Sequence, residues 1–162
     1  MLPEARRYAF IALRNNPRLM REITRGIGPD NPFWDFRPDP DRFSMRFVLA
    51  HVADWDPIFL GRVEQITTLD QPELPAYDEG RMAIDNAYAS QNPHDNLVRW
   101  ESNREVLIEK FSSIPVEQHD RVGLRPGQGL ISIADYMAMV TLHDSYHLSQ
   151  ALEYKQTWLA QD

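Results

Sequence analysis

Residues 44–69 read SMRFVLAHVADWDPIFLGRVEQITTL, and the pattern of this stretch decides the fold class. Met45, Val48, Leu49, Val52, Phe59, Val63 and Ile66 recur at the 3.6-residue period of a single helical stripe. Ser44 is a favoured N-cap type, and Phe43 and Val48 flank it at the two positions of a hydrophobic staple. Pro57 lies inside the pattern. It has no N–H to donate to the carbonyl four residues back, so it frees that of Ala53 and predicts a kink shortly after His51.

Three more segments carry the same period. The first runs from Pro3 to about Arg25; Asn15, Asn16 and Pro17 interrupt it, so it is either one kinked helix or two, and Gly26 and Gly28 end it. A third helix starts at the cap-plus-proline pair Asn92–Pro93 and presents Leu97, Trp100, Leu107, Ile108 and Phe111. The fourth starts at Ser132, where Ser132 and Asp135 form a capping-box pattern with Ile131 and Tyr136 at the staple positions, and runs to about Leu159. A short helical piece is expected between Arg81 and Ala89. The connections are long and rich in proline: GPDNPFWDFRPDPDRF at 28–43, whose Phe33, Trp34 and Phe36 should fold over one end of the helices, and DQPELPAYDEG at 70–80. Residues 114–129 read as loop, with turn signals at Gly123, Pro126, Gly127 and Gly129, and no alternating strand pattern is seen. The expectation is an all-α protein, an antiparallel four-helix bundle forming one domain over residues 1–162.

Bulk composition narrows the function. The chain of 162 residues is 43% apolar and 25% charged, an ordinary globular balance, and charge interrupts every apolar run before it could span a bilayer. With a net charge of −7, the helical arginine stripe Arg14, Arg18, Arg21 and Arg25 reads as a solvated face and not as a nucleic-acid footprint. Neither nucleic acid nor membrane is expected as a partner. The N-terminal MLPEARRYAF carries charges where a secretory signal needs an apolar core. Cysteine is absent, which excludes disulfides, thiolate ligands and cysteine nucleophiles; a cytoplasmic location fits.

The strongest chemical signal is His143-Asp-Ser-Tyr-His147. Four residues apart on a helix, two imidazoles lie about 40° apart around the axis and roughly 6 Å along it, within reach of one metal ion. Both continue the apolar side of the fourth helix. The plain alternative is a pair of core histidines bonded to carbonyls or to Tyr146 and Gln150. His51, at the edge of the second helix's apolar stripe, is the third candidate ligand, because bundle metal sites are built inward from facing helices. Asp54, one turn later, could orient an imidazole, bind the ion, or simply pair with a surface arginine. His94 and His119 read as solvated first-turn and loop residues.

The segments RFSMRFVLAHVADWDPIFLGRV and LHDSYHLSQ, with WDFRPDPDRFS and RVGLRPGQGLIS between and around them, resemble the DinB-like metal-binding superfamily in order, from about Trp34 to Gln150. The resemblance implies an up-down-down-up four-helix bundle, commonly a homodimer, with His51, His143 and His147 as the three metal ligands. Three neutral imidazoles leave the charge of a divalent ion intact and its coordination open, the catalytic pattern for zinc. Zinc or nickel are the expected occupants; iron and manganese are also compatible. Tyr146, Gln150 and Asp54 are candidate catalytic residues, and Trp34 and Trp55 are candidates for an apolar wall around a bound small molecule. The superfamily includes transferases and an isomerase that use low-molecular-weight thiols. The expected function is therefore a metal-dependent enzyme, first a thiol S-transferase whose thiol arrives as cosubstrate. A metal-dependent hydrolase and a non-enzymatic metal-binding stress-response protein are the alternatives. No GxSxG or phosphate-loop motif occurs.

Overall fold

A computed structural model describes residues 1–161. Four long helices make the bundle: α1 (Pro3–Ile23), α2 (Met45–Thr68), α4 (Pro93–Ser113) and α5 (Ile133–Leu159), with a short α3 (Glu79–Asp85) in the connection between α2 and α4. Helix α1 packs on α5 and α4, and α2 packs on α4 and α5. The directions follow from which residues meet. Asn16 meets Asp144 and Ile23 meets Lys155, so α1 and α5 run parallel. On α4, Arg104 reaches Leu13 and Glu101 reaches Arg21, so α1 and α4 are antiparallel. Across α2 and α5, Phe43 meets Gln150 whereas Phe59 meets Tyr136, so this pair is antiparallel as well. Helices α2 and α4 run together, and the order is up-down-down-up. A parallel α2–α4 pair needs a return along the bundle, about 36 Å for a 24-residue helix. Residues 69–92, with α3 and the 3-10 turn Tyr88–Ser90, supply it.

Two prolines set how the helices engage. Pro17 lies within a single α1 and leaves the Leu13 carbonyl without its helical donor; Arg104 Nη1 donates to it at 3.2 Å. Pro57 does the same to Ala53 in α2, whose carbonyl accepts from Asn103 Nδ2 at 2.8 Å. Consecutive residues of α4 thus satisfy both helix defects. The helix starts differ in how they are capped. Ser132 and Asp135 make both bonds of a capping box, and Asn92 accepts from His94 N–H at 2.9 Å. Ser44 occupies the N-cap of α2, but its side chain makes no capping bond.

The apolar core of the described residues lies in two large clusters and a small third one of Ala50, Ala83 and Tyr88. Of the large two, one centres on Phe59, Val63, Leu107, Phe111, Tyr136 and Val140, the other on Met20, Phe33, Trp34, Val48, Leu49, Trp100 and Tyr154. The aromatic connection covers the second: Phe33 and Trp34 are buried, and Phe36 packs edge-on against Trp158 at 5.3 Å.

Residues 114–129 are not all loop. Val122–Arg125 (β1) and Gly129–Ser132 (β2) pair antiparallel, from Val122 opposite Ser132 to Arg125 opposite Gly129. The strands are four residues each, too short for alternation to stand out. The turn glycines Gly127 and Gly129 take φ of 78° and 91°. The hairpin is pinned to the α2–α4 connection, because Leu74 N–H donates to the Leu124 carbonyl and Leu124 N–H to the Pro72 carbonyl, each at 2.8 Å. A Cβ at Gly123 would stand 2.8 Å from Leu74 Cδ1 and 3.0 Å from Ile66 Cγ1, so any other residue would have to displace these buried side chains. His119, expected in solvent, is buried because the hairpin folds the preceding turn onto the ends of α4 and α5; its Nε2 lies 3.3 Å from the Ile114 carbonyl. His94 is exposed as expected, with its ring against Trp34 and Nε2 2.9 Å from the Ile27 carbonyl.

Candidate metal centre

The antiparallel packing of α2 on α5 brings His51 opposite His143 and His147. One ring nitrogen from each of the three lies within 4.8 Å of the others. His51 Nε2 and His143 Nε2 stand 2.9 Å apart, and the three ring centroids are 4.7–5.1 Å from one another. Two imidazole nitrogens bound tetrahedrally at 2.0–2.1 Å are separated by about 3.3 Å, so His51 and His143 are within roughly 0.4 Å of the spacing of two ligands to one ion. A buried three-histidine group of this kind is compatible with a divalent metal.

Electrostatics keep two of the three imidazoles neutral. Burial pushes the His51 imidazole down to about 2, helped by the two neighbouring histidines. Burial likewise pushes His147 down to about 3, against a raising contribution from its contact with Gln150. Both are neutral at ordinary pH, with lone pairs available. His147 Nδ1 lies 3.2 Å from Gln150 Oε1, an acceptor, so Nδ1 carries the proton and Nε2 presents the lone pair. Gln150 is itself held, donating Nε2–H to the Phe43 carbonyl at 2.8 Å.

Beside the histidines lies a second buried polar cluster. Arg104 of α4, almost fully buried, bridges Asp56 of α2 and Asp144 of α5. It donates to Asp56 at 2.8 and 2.9 Å and to Asp144 at 2.5 and 3.0 Å; Asn16 Nδ2 adds a bond to Asp144 at 3.1 Å. Burial pushes Asp56 up to about 6 in spite of Arg104. For Asp144 burial acts to raise the carboxyl, but the charge and bonds of Arg104, with His143 Nδ1 3.9 Å away, outweigh it and hold the carboxyl low. This cluster was not foreseen. Its signal in the sequence is charge on apolar stripes: Asp56 beside Trp55, Arg104 between Trp100 and Leu107, and Asp144 between the two histidines.

A model of the DinB superfamily matches residues 12–151. The chain belongs to the DinB superfamily. The fold of this DinB-superfamily chain is similar to that of YfiT from Bacillus subtilis, described as a probable metal-dependent hydrolase with an unusual four-helix bundle topology. The TM-score is 0.89 at 16% sequence identity, over 98% of this chain and 90% of that one. At that identity the likeness speaks for the fold. Among curated protein sequences none is significantly similar.

Around the three histidines of this DinB-superfamily chain the other candidates part ways. Trp55 lies beside them, with ring centroids 5.7 Å from His51 and 6.1 Å from His143. Tyr146 is half exposed and stacks edge-on against His147 at 5.0 Å. Trp34 does not line the group: it is buried at the far cluster beneath the aromatic connection, its Nε1 donating to the Gly28 carbonyl at 2.7 Å. The reading of Trp34 as a wall is corrected, since the proline-rich connection folds over that end of the bundle. Asp54 also faces away. It accepts from Asn86 at 2.7 Å, Tyr88 at 2.8 Å and Arg99 at 2.6 Å, strapping the α2–α4 connection to the bundle, so neither of its proposed histidine or metal roles fits. The offset is physical: a three-residue step on a helix turns about 300°, enough to carry Asp54 to the α4 side of α2.

Two cavities flank the histidines. One, about 180 Å³, is lined by Arg42, Phe43, His51, Tyr146, His147 and Gln150 among others. The other, about 280 Å³, is lined by Trp55, Phe59, Arg125, Gln128, Met139 and His143. Glu79, at the start of α3, lines both. Sequence reasoning missed Glu79, Arg42, Arg125 and Gln128, all on connections whose path a helical period does not reveal. Among the described residues no helix is long and apolar enough to cross a membrane.

Proposed function

We propose that this protein is a metal-dependent enzyme that holds one divalent ion on His51, His143 and His147 and transfers a low-molecular-weight thiol to a small electrophilic substrate. The observation that carries the reading is the convergence of three imidazoles, two of them held neutral by burial, between two separate cavities. Two cavities at one ligand set suit two reactants, and the absence of cysteine requires the thiol to come from outside the chain. When bound, the ion supplies Lewis acidity, stabilising negative charge on a nucleophile or on a leaving group. Zinc or nickel suits the nitrogen set best, with iron and manganese as compatible ions.

The chain's own residues do the rest. Gln150, anchored on Phe43, keeps the His147 tautomer that ligates. Trp55, Phe59 and Met139 exclude water from the cavity beside His143. Tyr146 and Glu79 stand at the other cavity, where they can exchange a proton with the incoming thiol. In the transfer the thiol gives up its proton, a sulfur–carbon bond forms, and the leaving group departs with its electron pair. Hydrolysis is the second reading, favoured by the description of YfiT.

Native mass spectrometry with elemental analysis tests the ion, and also reads out the homodimer that the resemblance implies. A thiol transferase turns over an electrophile only when thiol and metal are both present. Turnover without thiol selects the hydrolase. Metal uptake that raises the melting temperature but supports neither reaction overturns both and leaves a structural site.

A further inference from the structure

Arg62 on α2 is 1% exposed, yet no carboxylate among the described residues pairs with it. Its Nη2 donates to the Pro75 carbonyl at 2.7 Å, while Nε and Nη1 have no partner. The guanidinium lies over the Trp55 ring, 5.3 Å from its centroid, and over that of Tyr77 at 5.4 Å. The Trp55 indole N–H nearby is also unpartnered, and the Tyr136 hydroxyl lies beside Arg62 as a neutral acceptor that makes no bond of ordinary geometry and supplies no counter-charge. A second guanidinium, Arg125 at the end of β1, is close enough for its charge to act with burial in pushing Arg62 below its ordinary value. Arg125 also makes no ion pair among the described residues, and it lines the cavity of about 280 Å³ that His143 walls. Buried positive charge without a counter-ion is costly. Cation–π stacking on Trp55 and Tyr77 offsets only part of that cost.

The rest of the cavity defines what else the missing partner carries. Trp55, Phe59 and Met139 give it an apolar wall, Gln128 offers an amide, and Glu79, exposed at the mouth, is its one carboxylate. The space is at the small end of ligand sites, suited to a compact metabolite. Arg125 is placed by the backbone, because β1 is paired to β2 and pinned to the α2–α4 connection through Leu124.

We propose that this cavity is a carboxylate-binding subsite, in which Arg125 engages the anionic end of a small substrate, Arg62 reinforces it from behind Trp55, and Trp55, Phe59 and Met139 hold the apolar body. This names the substrate class for the electrophile above and rests on that reading only for the position of the reacting atom, toward His143. The anion contact itself is independent of any metal.

The test uses the metal-free full-length chain, titrated by calorimetry with benzoate as the probe and with benzamide, its neutral counterpart. Benzoate is expected to bind at least tenfold more tightly than benzamide, and Arg125→Gln to remove that preference. Because Arg62 is buried and its replacement can cost folding, Arg125 carries the decision; Arg62→Lys, which keeps the charge, should retain most of the affinity. His143→Ala should keep benzoate binding while losing metal uptake. Equal binding of benzoate and benzamide, or a benzoate affinity unchanged in Arg125→Gln, overturns the subsite. A chain that takes up no metal but binds benzoate through Arg125 overturns the metal reading and leaves the subsite standing.

Discussion

His143 and Asp144 are adjacent in the chain, and with Nδ1 3.9 Å from Oδ1 they join two neighbouring polar clusters, but each belongs mainly to a different one. Asp144 turns into the Arg104 cluster, where the guanidinium reaches both carboxylates and Asn16 adds a further donor. His143 turns to His51 and His147, where one ring nitrogen of each lies within 4.8 Å of the others and burial keeps His51 and His147 uncharged. Helices α2 and α5 contribute to both, and α4 and α1 complete the first with Arg104 and Asn16. The first cluster has its cation built in and serves the fold; the second is arranged as though its cation comes from solution. That contrast separates a structural ion network from a candidate ligand set more sharply than burial does, since members of both are buried.

Breaking the closed cluster should have the largest effect. Arg104→Met leaves Asp56 and Asp144 buried without their cation and should cost about 3–5 kcal/mol in urea unfolding, a large part of a small domain's stability. A loss below about 1 kcal/mol would erase the distinction drawn above.

Acid should act on the metal-free open cluster. In the unfolded chain His51 and His147 take up protons below about 6.5, whereas in the folded protein they do so only near 2 and 3. Stability therefore falls as pH drops below about 6.5. Asp56 opposes this: its folded pKa of about 6 exceeds the ordinary 3.8, so between those values it is protonated in the folded state only, and its contribution rises as pH drops. Two imidazoles against one carboxyl leave a net loss on the order of 1.4 kcal/mol per pH unit between pH 6 and 4, readable from unfolding midpoints. Stability that rises over this range would show that the histidines are not neutral ligands in waiting.

Metal should reverse the contrast at neutral pH. Zinc at a hundred times its dissociation constant should stabilise the chain by about 2.7 kcal/mol, and His51→Ala should abolish the gain in a thermal melt while Arg21→Gln, on the opposite side of the bundle, leaves it intact. The smallest effects sharpen the boundary of the open cluster. Gln150→Ala should weaken metal binding by roughly 10–100-fold through the freed His147 tautomer. Asp54→Asn should leave metal affinity unchanged and cost only about 1 kcal/mol of stability, through its bonds to Tyr88 and Arg99.

How much of this could be read in advance differs from residue to residue. The four long helices, the capping box at Ser132 and the Asn92–Pro93 start follow from local rules, because cap chemistry and apolar period act within a few residues. The His143–His147 pair was legible for the same reason: a helix converts spacing four into one face. His51 was readable only as an edge histidine until α2 lay antiparallel on α5. Pro57 announced that the Ala53 carbonyl would be free, but nothing near it in sequence named Asn103 as its donor. Trp34 and Asp54 were misplaced because their local pattern is compatible with several faces, and a long-range connection chose among them. The hairpin at 122–132 was missed because its two short strands depend on pairing with each other and on contact with Leu74.

The sequence alone determined the helices, their ends, and a chemistry restricted to imidazole and carboxylate by the lack of cysteine, because these depend on residue type and near neighbours. Only the tertiary structure decided which buried polar groups close on one another and which remain open. It placed Arg104 between Asp56 and Asp144, set His51 against His143 and His147, and left Arg62 beside Arg125 without a carboxylate. Hydrogen bonds and charges act over a few ångströms, and residues tens of positions apart come that close only once the bundle has packed.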